Sequence, residues 1–109
     1  MKFRDPRKHD KGHLDFIRGL PCVTCGDDTS TEAAHVRMMD PTIGKPMTGI
    51  GTKPHDKFTV PLCSECHRTQ HEQSEEDFWE GHGIDPVKLS LALYSVSGDY
   101  SAGLMIVGR

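Results

Sequence analysis

The sequence predicts a small α+β domain that is held together by a metal ion, and three observations lead to this fold class. The chain has 109 residues, of which 35% are hydrophobic and 6% aromatic, so it can build only a thin core. Two short β-favourable segments precede a series of short helical segments. All four cysteines occur as Cys-x-x-Cys pairs. We expect one domain over residues 14–96, with a flexible basic arm at 1–13 and a C-terminal tail at 97–109.

Charge is unevenly distributed along the chain. The net charge of −3 argues against a protein that coats nucleic acid without specificity. Residues 1–68 hold 11 Lys/Arg against 9 Asp/Glu, whereas residues 69–109 hold 2 against 7. The basic N-terminal residues either contact phosphates or form a solvated tail. They are Lys2, Arg4, Arg7, Lys8, Lys11 and Arg18.

No signal peptide and no membrane-spanning stretch is visible in the sequence. We therefore expect a cytoplasmic protein without membrane contact. Paired cysteines in that reducing compartment are metal ligands more often than disulfides.

The first half of the chain is predicted to contain one helix and two strands. Residues 14–20 can form one or two helical turns that end at Gly19, because Pro21 cannot continue them. A tight turn carries the first cysteine pair at 21–26. Strands are predicted at 32–38 and 57–62, and the breaker-rich segment 39–56 between them reads as a long loop.

The second half is predicted to contain three helices. The first covers about 65–72 and follows the second cysteine pair. The second covers 74–81, with Ser74 as its cap and Gly81 as its stop. The third covers 84–96, where Asp85 can cap and Pro86 suits the first helical position. Its apolar residues also fit alternating spacing, so a strand is an alternative there.

The two cysteine pairs are the strongest signal in the sequence. Cys22, Cys25, Cys63 and Cys66 can present four thiolates in the tetrahedron that zinc takes in closed structural sites. Such a site would tie residue 22 to residue 66 and add the stability that a thin core lacks. A redox-active motif is the rival interpretation, but it normally needs only one pair.

His67 and His71 are left over if the four sulfurs fill the zinc site. Their i, i+4 spacing puts both imidazoles on one face of a helix, where they can bind one divalent ion. Two other interpretations stay open: the pair is simply exposed, or His67 replaces a cysteine as zinc ligand. We predict two metals, one structural and held by sulfur, the other catalytic and held by nitrogen.

His35 lies in the first predicted strand, and the order strand–strand–helix can bring it opposite His67 and His71. A neutral imidazole at that place could take a proton from water. A cation on the facing histidines could stabilise the charge on an attacked phosphate and on the leaving oxygen. This division of roles predicts a phosphodiesterase.

Several motifs resemble those of the HNH, or ββα-metal, endonucleases, most of all the small recombination-enhancement-type nucleases of phages and prophages. The matching segments are PCVTCG, AAHVRM, the loop Gly49-Ile-Gly51-Thr-Lys53-Pro-His-Asp56, VPLCSECHRTQH, and the stretch with Phe78, Trp79, Gly83 and Asp85. They cover residues 22 to about 85. The resemblance implies a small zinc-stapled ββα-metal (HNH) domain with added short helices, of phage or prophage origin.

The resemblance also implies residue roles. His35 would be the general base, and His67 and His71 would bind magnesium or another divalent ion. The four cysteines would hold structural zinc, and the product would be cleaved or nicked DNA. Two departures are visible: Ala34 stands where the family often has a metal ligand, and the chain contains no asparagine. Asp56 is the best substitute, and it would orient His35, complete the metal shell or cap the loop.

Four basic residues lie close in sequence to the proposed site and are expected to hold the DNA backbone or to be plain surface charges. They are Arg37, Lys53, Lys57 and Arg68. A noncatalytic zinc-knuckle module that binds nucleic acid or protein is the alternative function, because it needs the cysteines but none of the histidines. The acidic C-terminal half allows a third, an interaction protein with a protein partner or a homodimer.

Overall fold

The computed structural model describes residues 10–38, 40 and 55–108, which form one β-hairpin and five helices, as expected for an α+β domain. In chain order the elements are α1 (Lys11–Arg18), β1 (Thr31–His35), β2 (Thr59–Cys63), α2 (Ser64–His71), α3 (Glu75–His82), α4 (Pro86–Ser95) and α5 (Tyr100–Val107). None of the helices in these residues has the length and apolar character needed to cross a membrane.

The hairpin is antiparallel, and its register runs from Thr31 opposite Cys63 to His35 opposite Thr59. All five residues of β2 are buried, since helices cover it, whereas β1 is only partly buried. The two predicted strands are confirmed. Strand β1 ends before the predicted residue 38, and β2 begins after the predicted residue 57. Of the predicted loop between them, residues 39 and 41–54 lie outside the described residues.

Helix α1 begins earlier than the sequence suggested. The Asp10 carboxylate accepts a hydrogen bond from the backbone N–H of His13 at 3.1 Å and so caps the helix. His13 is only 1% exposed, and its Nδ1 lies 2.8 Å from the hydroxyl oxygen of Ser97. The prediction of a flexible arm at 1–13 is therefore wrong for residues 10–13. Residues 1–9 of that arm lie outside the described residues.

The predicted caps of α3 and α4 are present. The Ser74 hydroxyl accepts the N–H of Asp77 at 3.0 Å, and Asp85 accepts the N–H of Val87 at 3.1 Å. Helix α3 continues past Gly81 and ends at Gly83, whose φ of 66° lies in the left-handed region that glycine adopts without strain. The segment 86–95 is a helix, so the strand alternative is wrong.

Helix α5 lies within the predicted C-terminal tail and packs onto the domain. Its Tyr100 ring contacts Phe16 of α1, with ring centroids 5.2 Å apart, and Val107 is buried. The core joins apolar residues of all the helices except α2 with those of the hairpin. Its largest buried members include Phe16, Ile17, Leu20, Val60, Leu62, Phe78, Trp79, Val87 and Leu93. Phe78 and Trp79 of the matching stretch are thus core residues.

Candidate metal centre and histidine cleft

The first cysteine pair lies in a tight turn after α1. The carbonyl oxygen of Cys22 accepts the N–H of Gly26 at 2.8 Å, and Gly26 has a φ of 84° that favours glycine. The N–H of Val23 donates to the carbonyl oxygen of Pro61 at 3.0 Å. This bond fixes the turn to β2, close to the second pair.

The second pair spans the junction of β2 and α2. Cys63 is the last residue of the strand and also the N-cap of the helix. Its sulfur accepts the backbone N–H of Cys66 at 3.4 Å, which holds the Cys63 side chain over the start of α2. The strand-to-helix junction therefore sets the spacing of these two sulfurs.

The four-cysteine cluster, Cys22, Cys25, Cys63 and Cys66, has the geometry of a tetrahedral metal site. All four sulfurs lie within 4.8 Å of one another, and none forms a disulfide. The sulfurs of Cys25 and Cys63 are 3.7 Å apart. Zinc bound at about 2.3 Å to four sulfurs would hold them about 3.8 Å apart. The cluster is consistent with a zinc site, and it joins the segments that the spacing predicted it would join.

The thiols differ in how readily they ionise. Burial opposes ionisation of Cys22, but the hydrogen bond from the Thr24 hydroxyl at 3.1 Å and backbone hydrogen bonds together lower its pKa to about 6. Burial raises the pKa of Cys66 to about 12, and the neighbouring thiols add to this effect. Four thiolates at these distances repel one another, so a cation is needed to keep all of them deprotonated.

A cleft of about 270 Å³ is lined by all three predicted site histidines. We call it the histidine cleft, and it is lined by Leu14, Arg18, Ala33, His35, Arg37, His67 and His71. Ala33, His35 and Arg37 alternate along the chain, so they face the same side. Helices α1 and α2 form the other walls. The predicted approach of His35 to His67 and His71 is therefore present.

Asp56 orients His35. Its carboxylate oxygen Oδ1 lies 2.9 Å from Nε2 of His35, and its Oδ2 accepts the backbone N–H of Asp10 at 2.8 Å. The Asp56 residue is 0% exposed, whereas the His35 side chain is 14% exposed at the cleft. A carboxylate at Nε2 favours the tautomer in which Nδ1 carries the lone pair. Of the three roles that the sequence left open for Asp56, this geometry supports the orienting one.

His67 and His71 lie one turn apart on α2, as their spacing predicts. Their ring centroids are 4.9 Å apart. This separation is that of two rings on neighbouring turns of one helix face. Nδ1 of His67 also lies 2.7 Å from a carboxylate oxygen of Glu32 on β1.

The predicted DNA-binding residues separate into different places. Arg37 lines the histidine cleft, and its backbone N–H donates to the Glu75 carboxylate at 3.1 Å. Lys57 lies over the Phe58 ring, 5.3 Å from its centroid, and Arg68 is exposed on α2; neither lines the cleft. Lys53 lies outside the described residues.

Sequence reasoning missed three residues of this site: Arg18, Glu32 and Asp10. Arg18 was grouped with the basic arm, but the packing of α1 against the hairpin brings it to the cleft. Glu32 contacts His67 across a sequence distance of 35 residues, and Asp10 contacts Asp56 across 46. Of these three residues, only Asp10 had a recognisable sequence signal, because an aspartate three residues before His13 is typical of a helix N-cap.

The chain was also compared with known proteins. Residues 2–97 match the family described as "Protein of unknown function (DUF968)". Since the match spans most of the 109 residues, the chain belongs to this family. Neither the curated proteins nor the solved structures contain a match to it.

Proposed function

We propose that this member of the DUF968 family is a metal-dependent DNA endonuclease that hydrolyses phosphodiester bonds. One observation carries the proposal: His35, oriented by the buried Asp56, faces His67 and His71 across a single cleft. A held imidazole and a separate imidazole pair are the two groups that this hydrolysis needs. The resemblance to HNH endonucleases assigns the same roles to the same residues.

The chemistry follows from the orientation of His35. With Nε2 bonded to Asp56, Nδ1 is the ring nitrogen that would take a proton from water. As the water oxygen attacks phosphorus, its proton passes to Nδ1. The bond from phosphorus to the leaving oxygen then breaks, and that oxygen takes a proton from solvent. Asp56 stabilises the imidazolium that forms, because its negative charge is buried against the ring.

His67 and His71 would hold the catalytic ion. When bound, a divalent cation such as magnesium stabilises the negative charge on the phosphate and on the leaving oxygen. Magnesium prefers oxygen ligands and keeps several waters, so the two imidazoles would share its coordination shell with water and substrate oxygens. The four-cysteine cluster is separate from these histidines and would hold the structural zinc.

DNA would reach the cleft between two arginines. Arg18 on α1 and Arg37 after β1 both line it, and each could contact a phosphate of the DNA backbone.

A second candidate is a noncatalytic module that binds a protein partner or forms a homodimer. The observation that favours it is the exposed apolar surface of α5, where Leu104 is 42% and Met105 83% exposed. This candidate requires no chemistry in the histidine cleft, so a test of catalysis distinguishes the two.

The decisive experiment is cleavage of supercoiled plasmid in magnesium or manganese, with bound zinc counted in every preparation. The parent and three variants would be compared: His35→Ala, the double variant His67→Ala with His71→Ala, and His82→Ala as matched control. His82 is an exposed histidine on α3 that does not line the cleft. We expect cleavage by the parent and by His82→Ala only.

Equal zinc content in all four proteins would show that the losses are not caused by unfolding. Cleavage by His35→Ala at the parent's rate would contradict its role as general base. Absence of cleavage by the zinc-loaded parent, in both metals, would favour the noncatalytic module.

A further inference from the structure

Glu32 and His67 form a close contact between β1 and α2. The carboxylate oxygen Oε1 lies 2.7 Å from Nδ1 of His67, within the range of a charge-assisted hydrogen bond. The Glu32 side chain is 49% exposed and that of His67 24% exposed, so the contact lies at the accessible edge of the site. It connects two elements that do not follow each other in the chain.

This contact selects one tautomer of His67. An ionised carboxylate can only accept, so Nδ1 of the neutral ring must carry the proton and donate it. Nε2 then carries the lone pair that a metal ion requires. Metal-binding histidines commonly donate their other ring N–H to a carboxylate, which fixes the ring and raises its basicity.

We propose that Glu32 is a positioning residue for a divalent-cation site on His67 and His71, with Nε2 of His67 as the metal-binding atom. The proposal rests on the proposed function, because it specifies how the ion of that function is held. Glu32 acts through His67 and is not itself a ligand.

The hairpin register explains how Glu32 comes to this place. Glu32 pairs with Leu62, one residue before Cys63, from which α2 begins. The position therefore lies next to the start of the histidine-bearing helix.

Two measurements on the zinc-loaded protein test the proposal. The first is manganese(II) affinity by titration calorimetry for the parent, Glu32→Ala, Glu32→Gln and the control Glu72→Ala. Glu72 is an exposed carboxylate directly after His71, so the control removes the same charge from the same neighbourhood. We expect Glu32→Ala to weaken manganese binding by about 10- to 100-fold. Glu32→Gln should lose less manganese affinity, because its amide oxygen can still accept a hydrogen bond from Nδ1 of His67. Glu72→Ala should bind manganese as tightly as the parent.

The second measurement is the tautomer of His67, observed by nitrogen-15 NMR of the metal-free imidazole near pH 8. We expect the Nδ1–H form in the parent and a shift toward the Nε2–H form in Glu32→Ala. A purely structural role of Glu32 would change the melting temperature but not the tautomer.

The outcomes separate this proposal from the one on which it rests. Equal manganese affinity of the parent and Glu32→Ala, or an unchanged tautomer, would overturn the role of Glu32 and leave the ion site intact. If the parent bound no manganese, the ion site itself would be wrong, and the role of Glu32 would be wrong with it.

Discussion

Asp56 is a fully buried carboxylate whose two oxygens have different tasks. One oxygen contacts the His35 ring and the other accepts a backbone N–H from the start of α1. A buried charge of this kind is tolerated because both oxygens have partners. The residue thus links the imidazole to the framework of the domain.

We expect Asp56→Asn to lower kcat by roughly 10²–10⁴-fold with little change in DNA affinity, because it removes the charge that holds the His35 tautomer. Plasmid cleavage at saturating DNA would give kcat, and fluorescence anisotropy would give the affinity. Asp28→Asn, at an exposed turn position, is the matched control. A parent-like kcat for Asp56→Asn would contradict the orienting role.

His13 makes stability depend on pH. Burial lowers its pKa below the ordinary value of 6.5, an effect that Asp10 and Asp56 partly offset and His55 reinforces. The unfolded chain therefore binds a proton more readily than the folded one, so stability is complete above about pH 6.5 and is lost as the pH falls through the lower, folded pKa.

We expect the free energy of unfolding to decrease from about pH 7.5 to 5.5, and to decrease less in His13→Gln. Denaturant titrations at both pH values would measure it. Protonation of the metal-binding cysteines affects both proteins alike, so the difference between them isolates His13. Identical pH dependence would show that His13 does not contribute.

At the scale of elements, α5 packs against α1 and the residues after it at Gly103, which has no side chain. A Cβ added at Gly103 would lie 2.9 Å from Cζ of Phe16 and 3.0 Å from Cδ2 of Leu20. Both of these side chains are buried, so neither can move aside freely. The glycine is what allows the two helices to approach.

We expect Gly103→Ala to destabilise the domain by about 1–3 kcal/mol, since it overpacks this contact. Gly81→Ala is the opposite case: nothing lies within 4 Å of the added Cβ in α3, so we expect a gain of roughly 0.5–1 kcal/mol. Thermal and urea unfolding would measure both. A neutral Gly103→Ala would mean that α5 shifts to accommodate the methyl group.

Helix α1 carries two cations that share one partner. Lys11 and Arg18 both pair with Asp15, at 2.9 and 3.2 Å, but only Arg18 lines the histidine cleft. The two residues therefore differ in their access to the histidine cleft, although they carry the same charge on the same helix.

We expect Arg18→Ala to weaken DNA binding and to reduce the slope of log affinity against log salt by about 1, because one phosphate contact is lost. Lys11→Ala should leave the DNA affinity and its salt dependence nearly unchanged. DNA titrations at several salt concentrations, with catalysis blocked by His35→Ala, would measure them. Equal effects of the two variants would indicate general attraction rather than a contact in the cleft.

Element boundaries show which local signals could be used for prediction. Ser74 and Asp85 marked helix starts correctly, because a cap and its N–H partners are neighbours in sequence. Gly81 and Gly83 could each end helix α3 as far as the sequence shows. The positive φ of Gly83 identifies it as the residue that caps the helix. The sequence did not indicate α5, since its central Gly103 is a poor helix former whose value lies in packing.

At the scale of the whole molecule, the four-cysteine cluster joins the turn after α1 to the hairpin and α2. We expect removal of zinc to abolish the cooperative unfolding transition, because metal binding supplies about 10–16 kcal/mol in structural sites of this type. Circular dichroism during titration with a strong chelator would follow the loss of structure.

The double variant His67→Ala with His71→Ala is the control for this measurement, and it should retain one zinc with a parent-like melting temperature. A metal-free protein that melts as the parent does would contradict the structural role of the cluster.

The sequence predicted those long-range contacts that a shared metal ion requires. It did not predict the contacts that depend only on the packing of apolar side chains. Four cysteines in two pairs have to converge on one ion, so their spacing alone placed the turn beside the hairpin and α2. Nothing of this kind determines where α1 lies. Its position against β1, and with it the place of Arg18, follows from buried apolar side chains such as Phe16 and Ile17 that could pack in many ways.

Cys63 ends β2, caps α2 and supplies one sulfur of the cluster. We therefore expect metal loading and formation of the start of the histidine-bearing helix to be coupled. We expect the His67 and His71 imidazoles to reach their places only after zinc has arrived. In a cell short of zinc, we would then expect the chain to remain without an ordered histidine cleft.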